Sequence, residues 1–139
     1  MSIENKFKKI VTSGKRKTSI ARAVIIGGNG KVTINKKNYL ELPLFDKLRI
    51  SEPIEIAKSV IGKLEFDCAV NIRGGGEKGQ IDAARLALAK AILEFTGSKE
   101  LKEMYLKYDR NLLVADVRRK EAYKPGDSKA RSKRQSSKR

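Results

Sequence analysis

"LEFDCAVNIRGGGEKGQIDAARLALAKAILEF", residues 64–95, passes from a two-residue alternation through four glycines into a helical repeat. Leu64, Phe66, Cys68, Val70 and Ile72 fall on one side of an extended chain, which predicts a strand over 64–73 with one apolar face. Beyond the glycines, Ile81, Ala84, Leu88, Ile92 and Phe95 recur at helical spacing, and Gly97 supplies a stop. A helix over 80–95 follows. Gly74, Gly76 and Gly79 also spell G-x-G-x-x-G, the spacing of dinucleotide folds and nearly that of the kinase loop. A glycine-rich turn feeding a helix suits phosphate, because bare backbone N–H groups and the positive helix end converge there.

The wider pattern narrows whose phosphate this is. No acidic residue closes a second parallel strand about 20 residues on, as a dinucleotide site requires; Glu94 and Glu100 fall in or beside helices. The Walker pattern fails as well, since Val32 follows Gly30-Lys31 and Ile25 stands where the first glycine belongs. Two main readings of the loop remain. One is a structural turn, the other a cradle for nucleic-acid phosphate flanked by Arg73 and Lys78. A small nucleotide-binding enzyme and a general RNA- or DNA-binding protein are carried as alternatives.

Around this core the chain alternates strands and helices. "KTSIARAVII" (17–26) and the stretch after Asn29-Gly30 read as a hairpin. Ser51 is the expected N-cap of a helix with Glu52 and Pro53 in its first turn and Gly62 as its stop. A further helix is expected over 98–108 and a last strand over 111–118, "NLLVADVR". From Glu121 onward Lys, Arg, Ser, Pro and Gly dominate, a composition that predicts disorder in free solution. The expected class is α+β, with a globular body over 1–117 and a basic tail over 118–139.

Length and composition exclude much. With 139 residues the chain is too short for a protein kinase, and it has no histidine and one cysteine, Cys68. That leaves no zinc site, no disulfide framework and no imidazole base; Cys68 is expected in the core. Asp67 is expected to point outward, and Glu77 and Asp82 compensate a helix dipole, so no catalytic carboxylate pair emerges. The sequence predicts neither an enzyme nor a bound cofactor or metal. No segment matches a membrane span, and "MSIENKFKKI" lacks the apolar core of a signal peptide, so a soluble intracellular protein is expected.

Charge supplies the positive evidence. The net charge is +16, which calls for a polyanionic partner. Residues 1–23 hold seven Lys/Arg against one acid, residues 24–117 fifteen against thirteen, and residues 118–139 ten against two. A near-neutral body thus carries two cationic ends, the pattern of interaction arms. Near the start, Lys15, Arg16, Lys17 and Arg22 stand among the hydroxyls of Ser13, Thr18 and Ser19 with no acid between, residue types common at phosphate and ribose.

Three stretches together, "GKRKTSIARA" (14–23), "RGGGEKGQIDAARLALAKAI" (73–92) and "YKPGDSKARSKRQSSKR" (123–139), closely resemble the family of the ninth protein of the small ribosomal subunit, in order along about 130 residues. The tail resembles the archaeal and eukaryotic branch, with an archaeal lean. The resemblance implies a four-stranded sheet with helices on one face, as in the second domain of the fifth small-subunit protein, plus a long extended tail. It implies a cytoplasmic ribosomal protein in the subunit head, bound to small-subunit rRNA beside neighbouring ribosomal proteins. Carried onto this sequence, the rRNA contacts are Lys15, Arg16, Lys17, Thr18 and Arg22 near the start, then Arg73, Gly74, Gly75, Gly76, Lys78, Gly79 and Gln80 in the loop. They continue through Arg118, Arg119, Lys120, Lys124, Lys129, Arg131, Lys133 and Arg134. Ser137, Lys138 and Arg139 are implied contacts to peptidyl-site transfer RNA. Ser136 departs from the bacterial pattern, which commonly has an aromatic residue there.

Overall fold

The computed structural model describes residues 8–135. Strands β1 (Ile10–Arg16), β2 (Ser19–Gly27), β3 (Val32–Ile34) and β4 (Lys37–Asn38) precede helix α1 (Leu44–Ile61). Strand β5 (Phe66–Arg73) and helices α2 (Glu77–Thr96) and α3 (Lys99–Tyr108) follow. The expected α+β class holds, and the sheet order is β1-β2-β5-β3-β4. Against the four-stranded sheet that the resemblance implies, this one has an added two-residue edge piece, β4, and β1 is a strand that the residue pattern did not announce.

β5 is the strand expected from the alternation, with Phe66, Cys68, Val70 and Ile72 buried. Burial pushes the Cys68 thiol up to about 12 and so keeps it neutral, as a core thiol. The anticipated hairpin between β2 and β3 does not form. β5 lies between them, antiparallel to β2 and parallel to β3. The Asn29-Gly30 turn exists but spans the end of β5. Gly30 N–H donates to Phe66 O at 2.7 Å, while the Asp67 carboxylate accepts from Asn29 and Lys31 N–H at 3.0 and 2.9 Å. Turn residues specify a reversal; which strand then pairs is settled by the crossover through α1. The true hairpins are β1–β2, turning at Lys17-Thr18, and β3–β4, turning at Asn35-Lys36 with φ of 48° and 70°.

Two other boundaries move. α1 begins at Leu44 rather than after Ser51, so Pro53 lies inside it. Ser51 Oγ donates back to Leu48 O at 2.8 Å, and the buried Pro53 offers its carbonyl to the Tyr105 hydroxyl, also at 2.8 Å. A proline costs a helix one N–H. Here packing against α3 offsets the loss. The strand expected over 111–118 is instead a 3-10 turn, Arg110–Leu112, closed by the Asp109 carboxylate accepting Asn111 N–H at 3.0 Å. Leu112 is buried there, so the segment's apolar residue serves the helical layer rather than a sheet edge.

α2 is apolar nearly all round because it lies against β1, β2 and β5 on one side and α1 on the other. Gly97 ends it in the left-handed conformation, φ 63°. The closest approach is at Gly14 of β1, where an added Cβ would stand 2.7 Å from Ala87 N and closer still to Ala83 O. Beside it, Thr12 Oγ1 donates to Ala87 O at 2.8 Å. Both atoms that a Gly14 side chain would strike are helix backbone, which cannot rotate away. Gly14→Ala should therefore lower stability by about 1–3 kcal/mol; an unchanged urea midpoint would show that strand and helix can separate freely.

Candidate nucleic-acid interface

The glycine loop is built by different requirements at each position. Gly74 and Gly75 have φ of 76° and 67°, a region that side chains other than glycine avoid. A Cβ on Gly74 would come within 2.8 Å of Thr18 O, and one on Gly75 would fall on Ser19 Oγ. Gly76 has φ −88° and ψ 171° and faces open space, so its own conformation does not require glycine. Gly79 is already helical, and a Cβ there would meet Ser19 Oγ at 3.0 Å. The loop is braced from two sides, since the Ser19 hydroxyl and the Gln80 amide both donate to Gly74 O at 3.1 Å. Ser19 and Gln80 are thus struts. Ser19 is fully buried, a role its place among basic residues does not disclose.

α2 starts at Gly76 without a side-chain cap. Its earliest N–H groups have no partner within the helix, so the positive end of the helix dipole opens at the glycine loop. Glu77 in the first turn offsets part of that field.

Around this end the fold gathers cations from three regions of the sequence. Lys17 and Thr18 form one concavity with Gly75, Gly76, Lys78 and Gly79. The same two residues, with Arg16, line a second beside Arg118, Arg119 and Lys120. Arg22 and Arg73 lie apart on the open face of the sheet, in a shallow groove with Asn35 and Asn71. Lys15 borders an adjoining cleft that is crowded with charge of both signs.

That cleft changes the standing of Arg16. Its Nη1 lies 2.8 Å from Asp116 Oδ2 and its Nε 3.8 Å from Asp82 Oδ2, while Arg49 Nη1 is 3.0 Å from Asp82 Oδ1. Arg118 turns on the same Asp116, with Nη2 at 2.7 Å and its backbone N–H at 2.9 Å. The Arg118 guanidinium and N–H hold the Asp116 carboxyl well below the usual carboxylate range, and Arg16 adds to the effect. Deeper in, the buried Arg85 pairs with Glu52 and, at 3.2 Å, with Asp109. Asp82 therefore does more than compensate a helix dipole, and the partners of Arg85 come from α1 and from the residue that follows α3. Only the fold brings these charges together.

The tail cations Lys124, Lys129, Arg131, Lys133 and Arg134 lie in a stretch with no helix or strand among the described residues. Arg131 pairs with Glu121 at 2.8 Å, and Arg134 N–H donates to Asp127 at 3.0 Å. Ser136, Ser137, Lys138 and Arg139 lie outside the described residues. Among the described residues no cluster of acids, thiols or imidazoles could hold a metal, and no helix is long and apolar enough to cross a membrane.

Comparison with known proteins places this cation-rich chain in a family. The family described as "Ribosomal protein S9/S16" matches residues 14–139. The "Small ribosomal subunit protein uS9" of Methanococcus vannielii is 51% identical over 134 residues, covering 94% of this chain and 98% of that protein. Its counterpart in Methanococcus maripaludis strain C7 is 48% identical over the same length, again with 94% and 98% covered. The chain therefore belongs to the ribosomal protein S9/S16 family: it is an archaeal-type small-subunit ribosomal protein, not an enzyme, and its place is the ribosome in the cytoplasm.

Proposed function

We propose that this protein binds small-subunit rRNA in the head of the subunit through the end where the β1–β2 turn, the glycine loop and the first tail residues meet. We propose further that the tail over 118–139 runs from the body over 1–117 to peptidyl-site transfer RNA. The convergence of Lys17, Thr18, Lys78 and Arg118–Lys120 around an uncapped helix start carries the first reading. Phosphate contacts of this kind position a partner without reading its sequence. Transfer RNAs of every sequence share the peptidyl site, so a phosphate grip from Ser137, Lys138 and Arg139 meets the need there. The fork of Arg139 suits phosphate and the charge of Lys138 adds to it.

The isolated protein should bind rRNA with a log–log salt slope of about −0.9 per neutralised phosphate on duplex and about −0.7 on single strands, over roughly six to ten contacts. A slope shallower than about −2 would sink the polyanion reading. Equal affinity for duplex DNA would reduce it to general nucleic-acid binding.

The loop separates conformational from contact effects. Gly75→Val should destabilise the free protein, because its φ of 67° and the Ser19 hydroxyl leave no room. Gly76→Val should cost far less stability than Gly75→Val, only the loss of a favoured N-cap residue, and still weaken rRNA binding about tenfold, by holding the RNA backbone off the helix start. Normal rRNA binding by Gly76→Val would leave the loop a structural turn only.

Deleting Lys138 and Arg139 should preserve assembled subunits. Transfer RNA binding at the peptidyl site should weaken about ten- to a hundredfold, the worth of one charge-assisted hydrogen bond of roughly 1.5–3 kcal/mol. Filter binding with several transfer RNAs is the measurement. A loss confined to one of them would mean base readout instead.

A further inference from the structure

We propose that Asp116 is the positioning residue that fixes where the C-terminal tail leaves the body, by closing an ionic clasp between Arg16 of β1 and Arg118 of the tail. The main-chain turn after α3 ends at Val114, whose N–H donates to Arg110 O at 3.1 Å; beyond it, among the described residues, neither helix nor strand carries the chain. Side chains must set its direction, and the Asp116 carboxylate is placed to do so. It is 16% exposed. Its Oδ2 lies 2.8 Å from Arg16 Nη1, and it accepts Arg118 through Nε at 3.0–3.1 Å, Nη2 at 2.7 Å and the backbone N–H at 2.9 Å.

The anchor behind the clasp is rigid. Arg16 is the last residue of β1, paired across the hairpin with Ser19. Its guanidinium, 18% exposed, is flanked by Asp82, which also engages Arg49. A lone exposed ion pair holds little. Here three guanidiniums share two carboxylates in a cleft walled by β1 and α2, and such coupled groups act together. The clasp sets Arg118, Arg119 and Lys120 beside Lys17 and Thr18. Arg16 is then an internal support rather than a phosphate ligand. Resting on the rRNA reading above, the exposed cationic contacts at this end fall to Lys17, Lys78, Arg119 and Lys120.

The test places spin labels on the full-length chain at Glu94→Cys and Ala122→Cys, both exposed, with native Cys68 buried and unreactive. The starting protein should give a narrow distance distribution. Asp116→Asn should broaden it at an unchanged thermal midpoint, and Asp116→Glu, which keeps the charge, should stay narrow. An unchanged width in Asp116→Asn overturns the clasp.

Affinity for rRNA then gives opposite signs for the two roles of this acid. An ordinary surface carboxylate repels phosphate, so its removal would tighten binding. Loss of the clasp should instead weaken binding, about three- to tenfold. Tighter binding by Asp116→Asn therefore also overturns the proposal. Lys124→Gln serves as a control that removes one tail cation without touching the clasp; it should lower the salt slope by about one phosphate and leave the distances narrow. Should the unaltered protein lack a steep salt slope, the rRNA reading falls by itself and the distances alone decide the clasp.

Discussion

The close approach of α2 to β1 is the contact on which the other features depend. Gly14 removes the one side chain that would hold strand and helix backbones apart, and the buried Ala83, Ala84 and Ala87 keep the helix slender along the same stretch. Interiors pack at nearly crystalline density, so a spacing set at one point propagates along both elements. With the helix this close, its N-terminus lies under the β1–β2 turn. Lys17 and Thr18 then share a surface with Gly75 and Lys78, while the β2–β5 register, with Ile20 opposite Arg73, brings Ser19 to Gly74 O. The same approach brings Asp82 of α2 to Arg16 of β1. Packing and the Arg16–Asp82 placement thus have one cause.

Charge follows two regimes in this fold. Inside and at the cleft, cations meet carboxylates. Arg85 is buried while its partners Glu52 and Asp109 are partly exposed, so the member left stranded by the loss of both carboxylates would be the guanidinium, at a cost of several kcal/mol. At the rim and in the tail, cations outnumber acids, which leaves a field for a polyanion. Membership of a small-subunit ribosomal protein family gives that field its context. A basic sequence motif mixes the two regimes. In "GKRK" (14–17), Lys17 faces outward while Arg16 turns toward Asp116, although both are cations of one short run.

The glycine spacing shows how a motif can be right in context and mistaken in mechanism. Its strand, turn and helix are all present. Yet Gly74 and Gly75 are there for positive φ and the nearness of Thr18 and Ser19, Gly76 is conformationally free, and Gly79 packs within the helix. A dinucleotide fingerprint assigns its three glycines one joint task around a pyrophosphate. Here the positions serve a local junction between β5 and the β1–β2 turn, with Gly76 left open on the surface.

Several features were determined by the sequence itself. The alternation from Phe66 to Ile72, the helical repeat from Ile81 to Phe95 and the stops at Gly62 and Gly97 each depend on neighbours a few residues away. Local periodicity and capping act over that range, so these elements were legible without the fold. So was the separation of a neutral body from cationic ends, which is a matter of composition. Tertiary structure alone decided that β5 would divide β2 from β3, that Pro53 would lie within a helix and that Leu112 would be buried in the helical layer rather than in a last strand. It alone divided the cations into internal partners, such as Arg16 and Arg85, and outward ones, such as Lys17 and Lys78. Pairing and burial depend on residues far apart in the chain, Arg16 with Asp116 and Arg85 with Glu52. No local pattern encodes such separations, because the free energy that selects them appears only when the two surfaces meet.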